Sequence, residues 1–358
     1  MVLGKLWRSR PFAFVCAIAG GWLANAVNVP LAWILGPLLV TAGLSIVLGT
    51  RCFAPILGRR IGQSVIGAAL GLAVSPSVVT QVLPYVWLMV LMPFLSIAIS
   101  LLIGQIFARV SNVDHKTAFF CLVPGGLSEM ASIGDRHGAR REPIALAQAI
   151  RVALVVCSFP PFMVMLGWDG HFEIDRNMTP LTSKEGVAVI VLASLGVAGI
   201  RFLRFNNPWL VGALFGAAAG SIAGAYSGAI PREILYTAQF FLGIFIGSRF
   251  KREEVMRLGR FAVVSIGFTF LLTGIFFIVA LLMAYLSGID KGTAALALSP
   301  GGFAEMTTTA EVLHMNVLIV TGFHISRAVI INGMSGHALQ VAEWLIGRYK
   351  KQRKDIKN

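Results

Sequence analysis

The chain has 358 residues, of which 56% are hydrophobic and only 13% charged, with a formal net charge of +14. A mean hydropathy of +0.79 is far above that of soluble domains and predicts an all-α polytopic membrane protein. The positive charge is spread over short loops and a tail, RYKKQRKDIKN from Arg348; it excludes a nucleic-acid module and suits a cytoplasmic anchor beside anionic headgroups.

In chain order, Lys5, Arg8 and Arg10 precede an apolar run ending near Ala24-Asn25-Ala26. This resembles a secretory signal with its cleavage site. A counterpart later in the chain makes it the first span of the body instead. Spans of the length a ~30 Å hydrocarbon core requires are predicted over 11–28, 31–49, 61–80, 83–108 and 143–167. A second set follows at 186–203, 209–226, 233–248, 261–287 and 316–338. Two further hydrophobic stretches, 116–134 and 293–310, carry Pro-Gly-Gly. The expected organisation is a membrane repeat over 8–167, a periplasmic linker over 168–185, a second repeat over 186–342 and a basic cytoplasmic tail over 343–358.

The two sets are a duplication. Residues 176 positions apart agree at Trp33 and Trp209, Gly36 and Gly212, Gln63 and Gln239, and Arg151 and Arg327. From Asp114 to Met130, nine of seventeen positions match the stretch from Asp290 to Met306 without a gap. Asp, Thr, Pro and Glu agree as well as apolar residues, which chance similarity between apolar sequences does not produce. The duplicated element reads PGGLSEM from Pro124 and PGGFAEM from Pro300.

Whether the Pro-Gly-Gly segments cross the membrane decides the topology. If each enters and leaves on one side, with a cytoplasmic N-terminus, four basic residues lie outside (Arg176, Lys184, Arg232 and Lys291) and two lie within helices (Arg151 and Arg327). All the rest of the 30 Lys and Arg lie inside, as the positive-inside rule requires. If both segments cross, Arg136, Arg140, Arg141, Arg249 and Lys251 are among those facing outward. The expected fold is therefore two inverted repeats of five transmembrane helices, each with one re-entrant Pro-Gly-Gly segment. Proline removes an N–H and glycine admits unusual dihedrals, so the segments should break. Inverted-repeat transporters place solute and ion sites where such broken helices meet.

The candidate site residues follow. Pro124, Gly125, Gly126 and Pro300, Gly301, Gly302 form the breaks. Glu129 and Glu305 are carboxylates at membrane depth, which must be paired, hydrated or protonated. They could couple protons or a monovalent cation, or form buried salt bridges with Arg151 and Arg327. Those arginines could equally hold an anionic solute, as could the freed N–H groups after each Gly-Gly. Gln148 and His324 occupy equivalent positions one turn before the arginines; His324 could titrate or serve helix packing. Gln63 and Gln239 could line the site or bond between helices. Asp114 with Thr117, and Asp290 with Thr293, are expected to cap the re-entrant helices. Asp135 and Glu311 match as acids near loops. Gly212, Gly216, Gly220 and Gly224 form a small-residue face that fits close helix packing or a homodimer. The cysteines Cys16, Cys52, Cys121 and Cys157 show no paired spacing, and no histidine motif for a metal is present.

The paired PGG-x-x-E-M motifs, the following QAIRVALVV and HISRAVIIN, and AWILGPLLVTAG resemble the AbrB-type inner-membrane family of Gram-negative bacteria over essentially the whole chain. The resemblance brings two labels, a regulator of gene expression and an ammonia monooxygenase-like protein, and implies no catalytic residues. Scattered histidines speak against an oxygenase. The reading is a non-enzymatic inner-membrane transporter or exporter of a small solute, without cofactor, with both termini cytoplasmic. The alternative is a membrane-embedded sensor or regulator that acts on gene expression indirectly.

Overall fold

In the computed structural model, residues 10–50, 55–74, 80–168, 179–203, 207–226 and 228–355 are described. Their secondary structure is helical apart from one isolated bridge between Pro180 and Ala229. The first half holds α1 (Arg10–Ala26), α2 (Ala32–Gly43, continued by a π-turn over Leu44–Leu48), α3 (Ile56–Leu72), α4 (Val86–Ser111), α5 (His115–Leu122), α6 (Leu127–Arg136) and α7 (Arg141–Met165). The second holds α8 (Ser183–Phe202), α9 (Pro208–Ile222), α10 (Arg232–Gly247), the short α11 (Arg252–Arg257), α12 (Gly259–Ser287), α13 (Lys291–Leu298), α14 (Phe303–Val312) and α15 (Val317–Asp355). The bounds of α13 and α14 are those of α5 and α6 displaced by 176, and α9, α10 and α15 start 176 residues after α2, α3 and α7.

Among the described residues, five helices are long and apolar enough to cross a membrane: Thr80–Ser111, Arg141–Met165, Ser183–Phe202, Gly259–Ser287 and Val317–Trp344. Three more, Pro11–Ala26, Ala32–Leu48 and Pro208–Ile222, are apolar but shorter. Of the ten spans expected from hydropathy, several correspond to helices shorter than a crossing needs. α3 is 17 residues long and carries Arg59, Arg60 and Gln63, which lowers its hydropathy. α4 and α12 are apolar all round. They bury Ile97, Phe107, Leu272 and Phe276 while exposing Leu102, Ile106, Phe270 and Ile278, a surface suited to lipid.

The helices form two bundles. In the first, α1 packs on α2 and α8 on α9, while α2 lies against α10 and α3 against both α9 and α10. These contacts are backbone to backbone. A Cβ on Gly67 would sit 2.2 Å from the Leu210 carbonyl oxygen, and one on Gly243 would sit 2.4 Å from that of Ile34. The small-residue face of α9 is spent inside this bundle: Gly212 and Gly216 press on Gly196, Val197 and Leu192 of α8. Gly224 lies beyond the helix, in the left-handed region with φ 70°. This face is therefore internal packing and offers no dimer surface.

The second bundle is built from α4, α5, α6, α7 and α12 to α15. Here α4 packs on α15 and α12 on α7, and the Phe107 ring meets Phe261 and Phe268 edge-on at 5.7 and 5.0 Å. α5 and α6 form a hairpin. Asp114 caps α5, accepting bonds from the Thr117 amide and hydroxyl at 2.8 and 2.6 Å, as expected. The Thr117 oxygen also accepts from the Arg140 amide at 2.8 Å, so the entry and exit of the hairpin lie side by side. The second hairpin, α13 and α14, repeats this through Asp290, Thr293 and the Asn316 amide.

The segment expected as a basic tail from 343 is helical as far as Asp355, where the 39-residue α15 ends. Most of the linker, residues 169–178, lies outside the described residues, as does Cys52; Cys16, Cys121 and Cys157 are free thiols.

The glycine contacts set a test. Gly67→Val forces a side chain into the Leu210 backbone and should destabilise the fold by about 1–3 kcal/mol, the usual cost of overpacking. Gly274→Ala, where nothing lies within 4 Å of the added carbon, should leave the melting midpoint of the detergent-solubilised protein unchanged. Equal midpoints for both variants would contradict the packing described here.

Candidate functional site

Each hairpin turns through a short extended stretch. Val123 and Gly126 have ψ near 127° and 141°, and Ser299 and Gly302 near 139° and 150°. The glycines of the breaks are not in the left-handed region. Their missing side chains matter instead. A Cβ on Gly125 would lie 2.5 Å from the Met130 sulfur, and one on Gly126 would lie 2.2 Å from Oε2 of Glu129. Gly301 stands in the same relation to Met306, and Gly302 to Glu305, at 2.7 and 2.0 Å. The motif P-G-G-x-x-E-M therefore has a steric logic. Proline ends the first helix, the first glycine admits the methionine, and the second admits the glutamate. Both methionines are fully buried.

Glu129 and Glu305 sit in the first turn of α6 and α14, folded back toward the residue that starts each helix. A carboxylate there meets the positive end of the helix dipole and the amides that lack a partner in the helix.

The opposite charge guards the opposite end. Arg151 is 2% exposed and donates to the carbonyls of Val123 and Gly125, both at 3.0 Å. Arg327 donates to those of Ser299 at 2.6 Å and Gly301 at 2.9 Å. Among the described residues no ion pair joins these arginines to Glu129 or Glu305, so the salt bridge weighed from the sequence is not formed. The carbonyls that close α5 and α13 are the arginines' partners.

Gln148 and His324 extend the same arrangement. The Gln148 amide donates to the carbonyls of Phe120 and Val123 at 2.8 and 3.0 Å. His324 Nε2 lies 3.0 Å from the Leu296 carbonyl, the counterpart of Phe120, while its Nδ1 lies 2.8 Å from Arg327 Nη2. A carbonyl only accepts and a guanidinium only donates. The ring is therefore the neutral tautomer with its hydrogen on Nε2. It is 1% exposed and does what a glutamine does in the other half.

The two breaks face one cavity of about 140 Å³. At ~30 Å³ per water it has room for several waters or a small solute. Of the expected residues, Gln63, Pro124, Gly125, Gly126, Glu129, Gly301, Gly302, Glu305, His324 and Arg327 line it. Gln148, Arg151, Pro300 and Gln239 do not; the first two brace the break from behind, and Gln239 is buried within α10. Among the described residues no three His, Cys, Asp or Glu side chains gather to hold a metal.

The lining also contains groups that the duplication does not mark. Arg59, Asn207 and Asn332 line the cavity, while their counterparts are Leu235, Leu31 and Val156. The charges of both Glu129 and Glu305 act on Arg59. Its guanidinium carbon lies 4.1 Å from the centre of the Phe245 ring, and that of Arg249 lies 4.5 Å from the same ring. Arg249 reaches Ser128 on the first hairpin at 3.4 Å. The signal for Arg59 in the sequence is its place one turn before Gln63, on the same face of α3.

A family model described as "Transition state regulatory protein AbrB" matches residues 47–342. The "Uncharacterized protein YhjN" of Bacillus subtilis (strain 168) is 27% identical over 365 residues, covering 94% of this chain and 94% of the relative. The "Putative regulator AbrB" of Escherichia coli (strain K12) is 24% identical over 328 residues, covering 86% and 89%.

Two outcomes are expected of the break. His324→Gln should preserve stability, because glutamine fills the equivalent role at position 148. His324→Leu strands the Leu296 carbonyl and should cost about 1–3 kcal/mol. Arg151→Lys should destabilise despite its charge, since an ammonium cannot span two carbonyls as the planar fork does. Thermal melts of purified variants read both, and an Arg151→Lys protein as stable as the parent would contradict the assigned bonding.

Proposed function

The chain belongs to the AbrB family, and with the cavity between its hairpins as the carrying observation we propose that it is an inner-membrane secondary transporter or exporter of a small solute. In this reading the halves are inverted repeats of five crossings, each with a re-entrant hairpin. The adjacent hairpin ends support re-entry. So does the length of α5 and α13: eight residues each rise ~12 Å, which brings each tip toward the middle of a ~30 Å core. The charge contrast of matching loops supports inversion. Residues 249–260 are strongly basic, while the matching loop of the first half carries no charge. Both termini then lie in the cytoplasm.

Transport proceeds by the hairpin bundle moving against the glycine-packed bundle, exposing the cavity to each side in turn. Among the described residues, Glu129 and Glu305 are the only carboxylates in the lining, and they carry the coupling proton or monovalent cation. Glu305 is buried, whereas Glu129 is partly open beside the exposed Ser128, so access in this conformation is from the side of the first hairpin, the cytoplasm. The lipid bilayer and the solute are the partners required. The name of the Escherichia coli relative favours a second reading, in which the protein senses a solute and alters expression indirectly.

The test is reconstitution into liposomes with an imposed proton or sodium gradient, and solute panels read by flux. Glu129→Gln and Glu305→Gln should each reduce gradient-driven flux at least tenfold while the proteins still fold. Absence of flux for every solute class under either gradient, with ligand binding retained, would move the sensor reading to first place. Single cysteines at positions 140 and 257 should react with an impermeant reagent only from the cytoplasmic side; labelling from outside would sink the inverted arrangement.

A further inference from the structure

The cavity's duplicated charged residues already have partners. Arg327 is bound to two carbonyls and to His324, and each glutamate lies over its own helix end. Arg59 differs. It is half-buried, its Nε is shielded from solvent without a partner, and it makes no hydrogen bond among the described residues. It stacks on the face of Phe245 and lines the cavity, where the charges of Glu129 and Glu305 act on it. Gln63 stands one turn along the same face. Asn332, across the cavity on α15, has a buried amide oxygen without a partner; an amide presents either end by turning about its last bond. The rest of the wall includes Val152, Val211, Leu242 and Ile246.

From these groups we propose that the solute is a small monocarboxylate with a short apolar body, and that Arg59 is the residue that binds its carboxylate; this rests on the transporter reading of the cavity. A guanidinium edge matches a carboxylate with two parallel hydrogen bonds. The amides of Gln63 and Asn332 supply further donors, and the aliphatic wall takes the body. A single carboxylate is specified because, among the described residues, Arg59 is the one guanidinium in the lining with no hydrogen-bonded acceptor, Arg327 being held by two carbonyls. A second negative group would face Glu129 and Glu305 with no cation left to meet it. The division also has a reason in the duplication. A two-fold copy of the binding groups would hold two charges in the same small space, whereas Leu235, Leu31 and Val156 keep recognition to one side.

Calorimetric titration of the purified full-length protein with butyrate, butyramide and succinate tests the proposal. Butyrate should bind, butyramide at least tenfold more weakly, and succinate more weakly than butyrate. Arg59→Gln should weaken butyrate by roughly 10- to 100-fold, the scale of a charge-assisted pair, while the protein still folds. Arg59→Lys should fall between. Equal binding of butyrate and butyramide, no butyrate binding at millimolar concentration, or undiminished binding by Arg59→Gln would overturn it. Butyrate flux into proteoliposomes separates the two claims. Binding without flux leaves the carboxylate site standing and removes the transport reading. Flux of an amine or neutral solute without carboxylate binding does the reverse.

Discussion

The structure depends on the arginine–carbonyl bonds at the two breaks. Ending a helix inside an apolar bundle leaves carbonyls without partners, and each costs several kcal/mol where water is absent. Arg151 and Arg327 meet that cost with two bonds apiece, and Gln148 and His324 take the carbonyls one turn earlier. At the other side of each break a glutamate lies against the start of the next helix. Each hairpin, with the helix that follows it, thus offsets its own charges: cation at the negative helix end, anion at the positive one. Two such units can approach without a wall of like charge between them, and a small cavity survives where they meet.

The same bonds divide the site into two classes of residue. Those repeated at an offset of 176 build and neutralise the hairpins. Those without a repeat, Arg59, Asn207 and Asn332, give the cavity its chemical asymmetry. Agreement between the halves marks the hairpins, whereas Arg59, Asn207 and Asn332 line the cavity at positions where the halves differ.

The duplication, the breaks and the Asp-Thr caps were legible in the sequence because each is a local pattern of residue type and spacing. The partners of the arginines were not. Glu129 and Arg151 look like a pair by type, and the competing acceptors, backbone carbonyls of Val123 and Gly125, are the same for every residue and leave no mark in a sequence. The part glycine plays was only half legible. The break is expected from its dihedral freedom, whereas its lack of a side chain also makes room for a methionine and a glutamate three to five residues on. Arg59 escaped because agreement between halves was the guide, and Arg59 is where they disagree. The helical continuation of α15 through its basic end was hidden by the drop in hydropathy at the same place.

The first bundle is joined through glycines whose hydrogens touch carbonyl oxygens of the next helix, at Gly67 on Leu210 and Gly243 on Ile34. At those points no side chain lies between the helices, while Phe14, Phe240 and Trp33 fill the gaps elsewhere in the same bundle. The boundary with the second bundle runs where α3 and α10 meet α7 and α14. Arg59 stands on one side of that boundary and the hairpin tips on the other, so any displacement of one bundle against the other would change the distance between Arg59 and both glutamates at once.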